Sequence, residues 1–186
     1  SAASDVYKRQ DPCLRSKKAR VALVQRLLEA GLVELTVRDG IRVGVFAVWK
    51  NNRKQQRLII DARISNACFK DPEGIDLPSA QNFCDLFIDG SDTLHLCSSD
   101  LKDAFYIMEL PEALREYFTL APISAKDLGI RDVNGERGSP SQLLYPRLKV
   151  IPMGWSHAVD FCRQVVKDSV LSVPEISEGM LVEDGK

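Results

Sequence analysis

Apolar residues Val21, Val24, Leu27 and Leu28 recur at helical spacing behind Ser16, and Gly31 follows as a stop. The pattern predicts a helix over about 16–30. Alternation then replaces it. Residues 32–37 and 43–49 read as an antiparallel pair joined by a turn at Arg38-Asp39-Gly40. Residues 50–56 carry no apolar side chain and form a basic tip, from which 57–61 returns as a strand. Pro, Gly and Asp make 71–78 a loop. Ser79 caps a helix with Phe83, Leu86 and Phe87 on one face, stopped near Gly90. A short alternating strand, 94–97, runs into Asp100. Beyond it come a helical turn at 112–116, a strand at 117–121 and a long loop at 122–142. A strand at 143–151, a tight corner at Pro152-Met153-Gly154 and a helix at 155–171 close the pattern. Residues 1–12 lack periodicity and are set aside as a disordered or non-native tail. Helices and antiparallel-type strands are mixed, so the fold class is α+β.

Composition adds bounds. The 186 residues are 45% hydrophobic and 27% charged, an ordinary globular balance with enough apolar mass for a core. No apolar run approaches the length of a membrane span, and the N-terminus has no signal-peptide pattern. Five scattered cysteines without a C-x-x-C pair argue against a zinc site and a disulfide framework. An intracellular location, cytoplasmic or nuclear, is expected, with no membrane partner and an open oligomeric state. The net charge of -1 hides an asymmetry: residues 1–70 carry 15 Lys and Arg against 6 Asp and Glu, the rest 10 against 20. A polyanion-gripping front joined to a metal-binding part fits this balance, and so does an uneven surface.

The candidate chemistry centres on Ser99-Asp100-Leu101-Lys102-Asp103-Ala104-Phe105-Tyr106. Two carboxylates beside a strand end suit Mg2+, which takes one or two carboxylates together with substrate phosphates. The same residues also suit helix capping.

Three stretches together resemble the reverse transcriptases of retroelements. One is Val48-Trp49-Lys50, the basic tip, then Arg57-Leu58-Ile59-Ile60-Asp61-Ala62-Arg63 and Asn66. It is similar to the fingers hairpin of that family. The second is the Asp100 stretch with Leu110-Pro111-Glu112 and Tyr117-Phe118-Thr119, similar to the palm segment of the first catalytic aspartate. The third, Ile151-Pro152-Met153-Gly154-Trp155-Ser156-His157-Ala158, is similar to the family's Pro-x-Gly corner. The resemblance covers roughly 32–172.

It implies a partial right-hand polymerase fold: fingers at 13–90, the first catalytic palm strand at 91–121, an insertion at 122–142, a strand and helix at 143–172, and a tail. The ferredoxin-like palm sheet would lack its catalytic hairpin. It implies RNA-directed DNA polymerase activity, with dNTP, a primed RNA or DNA template, and Mg2+ or Mn2+ in a two-metal site. Asp100 would be catalytic and bind metal with the Leu101 carbonyl. Lys50, Arg57, Asp103, Ala104, Phe105 and Met153 would bind dNTP, the Phe105 ring excluding a 2′-hydroxyl. Asp61, Arg63, Gly154 and Trp155 would face the template or primer.

One departure qualifies this. The family's Tyr-x-Asp-Asp hairpin, which supplies further metal ligands, has no counterpart before the sequence ends at Glu183-Asp184-Gly185-Lys186. The expectation is a truncated polymerase that does not extend a primer. A non-catalytic nucleic-acid-binding module derived from such an enzyme, or an unrelated α+β domain, are the rival readings.

Overall fold

The computed structural model describes residues 9–51, 53–74, 84, 89–91, 93, 100–133, 136–137 and 139–181. In chain order its elements are α1 (Lys17–Glu29), β1 (Val33–Thr36), β2 (Gly44–Trp49), β3 (Gln56–Asp61), α2 (Arg63–Asn66), α3 (Ala104–Ile107) and α4 (Glu112–Arg115). Then follow β4 (Ile123–Ser124), α5 (Ala125–Leu128), β5 (Asp132–Val133), β6 (Glu136–Arg137), β7 (Leu143–Leu148) and α6 (Ala158–Leu171). The chain is mixed α+β with small antiparallel sheets, and it divides into two units. The first is Ser1–Asp71 with Phe105–Ala158, the second Pro72–Ala104 with Val159–Lys186. The strand expected at 94–97 lies outside the described residues. So does the helix expected at 79–90, apart from Cys84, Asp89 and Gly90.

In the first unit α1 follows the apolar spacing: Val24 and Leu27 are buried, and Gly31 adopts φ 70° just past its end. The strand pairing departs from expectation. β1 pairs with β7, from Val33 opposite Leu148 to Thr36 opposite Tyr145, while β2 pairs with β3. The turn after β1 explains this. The Asp39 carboxylate accepts from the Gly40 amide and the Arg42 Nε, both at 2.8 Å. The chain then runs alongside 116–119: Ile41 N–H donates to the Glu116 carbonyl at 2.8 Å and Val43 N–H to that of Thr119 at 3.0 Å. A Cβ on Gly40 would collide with the Glu116 carbonyl, so the approach needs glycine there.

The three-stranded sheet runs β1-β7-β4. Central Pro146 has no N–H, yet the ladder tolerates it. Lys149 N–H donates toward β1, to the Leu32 carbonyl, and Leu148 N–H donates away from it, to the Phe118 carbonyl. By alternation the missing Pro146 donor falls on the side away from β1, so the β1 ladder loses nothing. The strand expected at 117–121 is reduced to bridges from Thr119 to Arg42 and to Arg147. The loop expected at 122–142 carries β4, α5 and the small β5–β6 hairpin. Ser124 Oγ caps α5 by accepting from the Asp127 amide at 3.2 Å, and Gly129 at φ 70° ends it. The last long helix begins at Ala158 rather than Trp155, because Trp155 and Ala158 bond within turns to the Pro152 and Trp155 carbonyls.

Leu110, Phe118, Leu144 and Ile151 are fully buried, each contributing about 1.5–3 kcal/mol of transfer free energy. Phe69, Phe118 and Trp155 form an aromatic cluster with centroids 5.6–6.3 Å apart. Arg115 is also buried. Its guanidinium donates to the Leu110 carbonyl at 3.0 Å, Glu34 at 2.8 Å and Glu109 at 2.6 Å, and Glu34 also pairs with Arg147. A buried cation with every face occupied is tolerated where an unpaired one is not.

In the second unit, α6 beyond Ala158 is steadied by Ser169 Oγ donating to the Val165 carbonyl at 2.7 Å. Lys167 pairs with Glu178 at 3.7 Å. Among the described residues no helix is long and apolar enough to cross a membrane.

Candidate functional site

The basic tip sits at the open end of the β2–β3 ladder. Val48 lies opposite Arg57 and Trp49 opposite Gln56, so strand alternation puts Val48, Lys50 and Arg57 on one face. Lys50 N–H donates to the Gln55 carbonyl and Arg53 N–H to that of Lys50, both at 2.8 Å, closing a turn in which Arg53 takes φ 50°. Val48, Trp49, Lys50, Asn51 and Arg57 line an open depression of about 410 Å³. Lys50 and Arg57 are thus brought together on one surface.

At the other end of β3, Asp61 is buried and occupied. Arg63 grips it with Nε at 2.8 Å and a terminal nitrogen at 2.7 Å, and the Arg9 amide donates to it at 2.5 Å. The Arg63 fork, aided by the Arg9 amide, overrides the cost of burial and holds the Asp61 carboxyl at about 2. The Arg63 side chain is 59% exposed, so its cationic end borders solvent.

The outer edge of β3, the edge that β2 does not use, carries two further attachments. Tyr106, on α3, donates its hydroxyl to the Leu58 carbonyl at 2.9 Å. Ile60 N–H donates to the Met153 carbonyl at 3.0 Å. Gly154 adopts φ 129°, and a Cβ there would collide with the Ile60 carbonyl. Asn66 clamps the same corner with both ends of its amide, donating to the Gly154 carbonyl and accepting from the Ser156 amide, each at 3.1 Å. Trp155 turns inward to the aromatic cluster, whereas Met153 is half-buried and Gly154 exposed. Phe105, beside Tyr106, is half-buried. Sequence reasoning placed Tyr106 and Asn66 within motifs but gave neither a role. Their signal was a hydroxyl beside Phe105 and an amide able to donate and accept at once.

Asp100, Leu101, Asp103 and Ala104 belong to the second unit. Asp100, Leu101 and Asp103 are exposed, and Asp103 takes the left-handed φ 55° that Asp tolerates better than most residues. Among the described residues, no three His, Cys, Asp or Glu side chains gather as a metal cluster. An exposed Asp100 carboxylate next to a backbone carbonyl is a partial set of hard oxygen donors. Such a set fits a Mg2+ ion that keeps its waters and shares phosphate oxygens, not an ion held in an all-protein cage.

No protein-family model matches this chain, and no curated protein matches it.

Proposed function

We propose that the chain forms the fingers and part of the palm of an RNA-directed DNA polymerase of retroelement type, with a right-hand polymerase architecture. One observation carries this reading: three stretches far apart in sequence meet on one strand. The hairpin contributes β3 itself, the segment opening at Phe105 reaches it through Tyr106 at Leu58, and the Pro-Met-Gly corner reaches it through Met153 at Ile60.

In this reading Lys50 and Arg57 hold the triphosphate of an incoming dNTP, the Arg fork matching phosphate oxygens. Met153 borders the nucleotide. The Phe105 ring fills the space that a 2′-hydroxyl would need. Arg63, braced by Asp61, and Gly154 border the template strand, while Trp155 holds the corner from within. Asp100 and the Leu101 carbonyl would hold Mg2+ or Mn2+, which neutralises phosphate charge during nucleotidyl transfer. The 186 residues contain no Tyr-x-Asp-Asp motif, so they bind nucleotide without extending a primer.

The test is binding of a fluorescent dNTP with Mg2+. Arg57→Ala lowers affinity on the order of 10-fold or more, as loss of a charge-assisted contact requires. Phe105→Val narrows the preference for dNTP over rNTP. Unchanged binding in both variants, with circular dichroism unaltered, contradicts the proposal.

A further inference from the structure

The β2–β3 hairpin has two faces. Alternation sends Val48, Lys50 and Arg57 to one, and Val45, Ala47, Gln56 and Leu58 to the other. The second face looks toward α1 across a groove of about 360 Å³, whose helix side is Ala19, Ala22, Leu23 and Arg26. All of these residues lie in the first unit. Ala19, Ala22 and Ala47 stand where larger side chains would close the gap, so Leu23 and Leu58 stay half-buried. The apolar floor ends on Val45, 6% exposed. Interiors are close-packed, and a gap of this size falls in the range of small-ligand sites. Two polar groups border it. Among the described residues, neither the Arg26 guanidinium nor the Gln56 side-chain amide has an ion pair or a hydrogen bond. The Asp11 carboxylate, also on the lining, accepts from the Cys13 amide at 3.0 Å instead. Trp49, opposite Gln56 in the ladder and 62% exposed, extends the apolar surface on the same face.

We propose that this groove binds a free aliphatic carboxylate of about ten carbons, its chain between α1 and the hairpin and its head on the Arg26 fork and a Gln56 N–H. The apolar floor calls for an apolar body. One unpaired cation with one amide donor beside it calls for a single anionic head. A nucleotide or a nucleic-acid strand would leave the floor unfilled and find one cation for several phosphates. A partner helix, about 10–12 Å across with its side chains, is too wide for a gap of this volume. The site uses the face of the hairpin opposite Lys50 and Arg57. It therefore survives if dNTP binding fails, and it can fail while dNTP binding succeeds.

The experiment is calorimetric titration of the 186-residue chain with hexanoate, octanoate, decanoate and decanol, each below its micelle concentration. Affinity rises about 3- to 4-fold for each methylene added along the acid series. Decanol, which lacks the charge, binds on the order of 10-fold more weakly than decanoate. Arg26→Gln erases the difference between decanoate and decanol while keeping the dependence on chain length. Ala22→Phe fills the groove and abolishes binding of both. Ala22 and Arg26 are exposed on α1, so circular dichroism of both variants matches the parent. Should Ala22→Phe fail to fold, the Arg26→Gln comparison alone decides. Any of four results overturns the inference: no saturable binding of decanoate, affinity independent of chain length, an Arg26→Gln variant that still prefers decanoate over decanol as the parent does, or displacement of decanoate by dATP or by an acidic helical peptide at equal concentration.

Discussion

The Tyr106 hydroxyl donates to the Leu58 carbonyl at 2.9 Å, across 48 residues of sequence. That oxygen sits on the edge of β3 that β2 leaves unpaired, so the phenol caps a position otherwise open to another strand. Tyr106→Phe keeps the ring and removes this bond. Chemical denaturation should show a loss of about 0.5–1.5 kcal/mol. A loss under about 0.3 kcal/mol would mean that water replaces the hydroxyl without penalty.

Gly154 and Gly31 both take positive φ, 129° and 70°, but differ in surroundings. Around Gly31 a Cβ meets open space, whereas at Gly154 it meets the Ile60 carbonyl. Gly31→Ala should cost about 1 kcal/mol, the left-handed penalty alone. Gly154→Ala should cost well over 2 kcal/mol, because β3 and the corner must separate. Equal losses for the two variants would remove the close approach as an explanation.

Asp61 carries a folded-state value of about 2 against an ordinary value of 3.8, chiefly because Arg63 donates to it. A depressed carboxylate contributes stability that is fully present above the unfolded value and is lost as pH falls through the folded one. The loss should therefore run from about pH 4.5 down to about pH 2. It should amount to about 1–2 kcal/mol once screening at the exposed Arg63 end is allowed for. Asp61→Asn should flatten that part of the acid-unfolding profile. An Asn variant with the parent's acid profile would assign the transition to other carboxylates.

Arg115 joins Glu34, Glu109 and the Leu110 carbonyl. Arg115→Ala removes the charge-assisted bonds to Glu34 and Glu109, while Glu34 keeps Arg147 and Glu109 is largely exposed, and should cost about 1.5–3 kcal/mol. Arg115→Ala paired with Glu34→Ala should cost less than the two single losses added together. Additivity in that double-mutant cycle would argue against a direct coupling.

Local signals survived from sequence to structure, and long-range ones did not. The α1 stripe with Gly31, the basic tip and its return strand, and the tight corner were all legible, because spacing and turn residues set them within a few positions. The partner of β1 was not. Arg38-Asp39-Gly40 reads as a hairpin turn, yet the Asp39 and Gly40 contacts aim the chain at 116–119, over 70 residues away. The Arg115 network hid for the same reason, since Glu34 lies far in sequence from both Arg115 and Arg147. Of the candidate site, Lys50 and Arg57 were legible as a pair because seven residues span one hairpin tip. The bonds of Tyr106 and Asn66 to the rest of the site depend on tertiary approach, for which no pattern in the chain is a signal.

The central claim is that the edge of β3 and the adjoining basic tip hold a nucleotide. Photolabelling with an azido-dATP in Mg2+, followed by peptide mapping, tests it most directly. The account predicts label on the peptides containing Lys50 to Arg57 and Phe105 to Tyr106, suppressed by excess unlabelled dATP and reduced by Arg57→Ala. Label scattered over the surface, or label that excess dATP leaves in place, would contradict it.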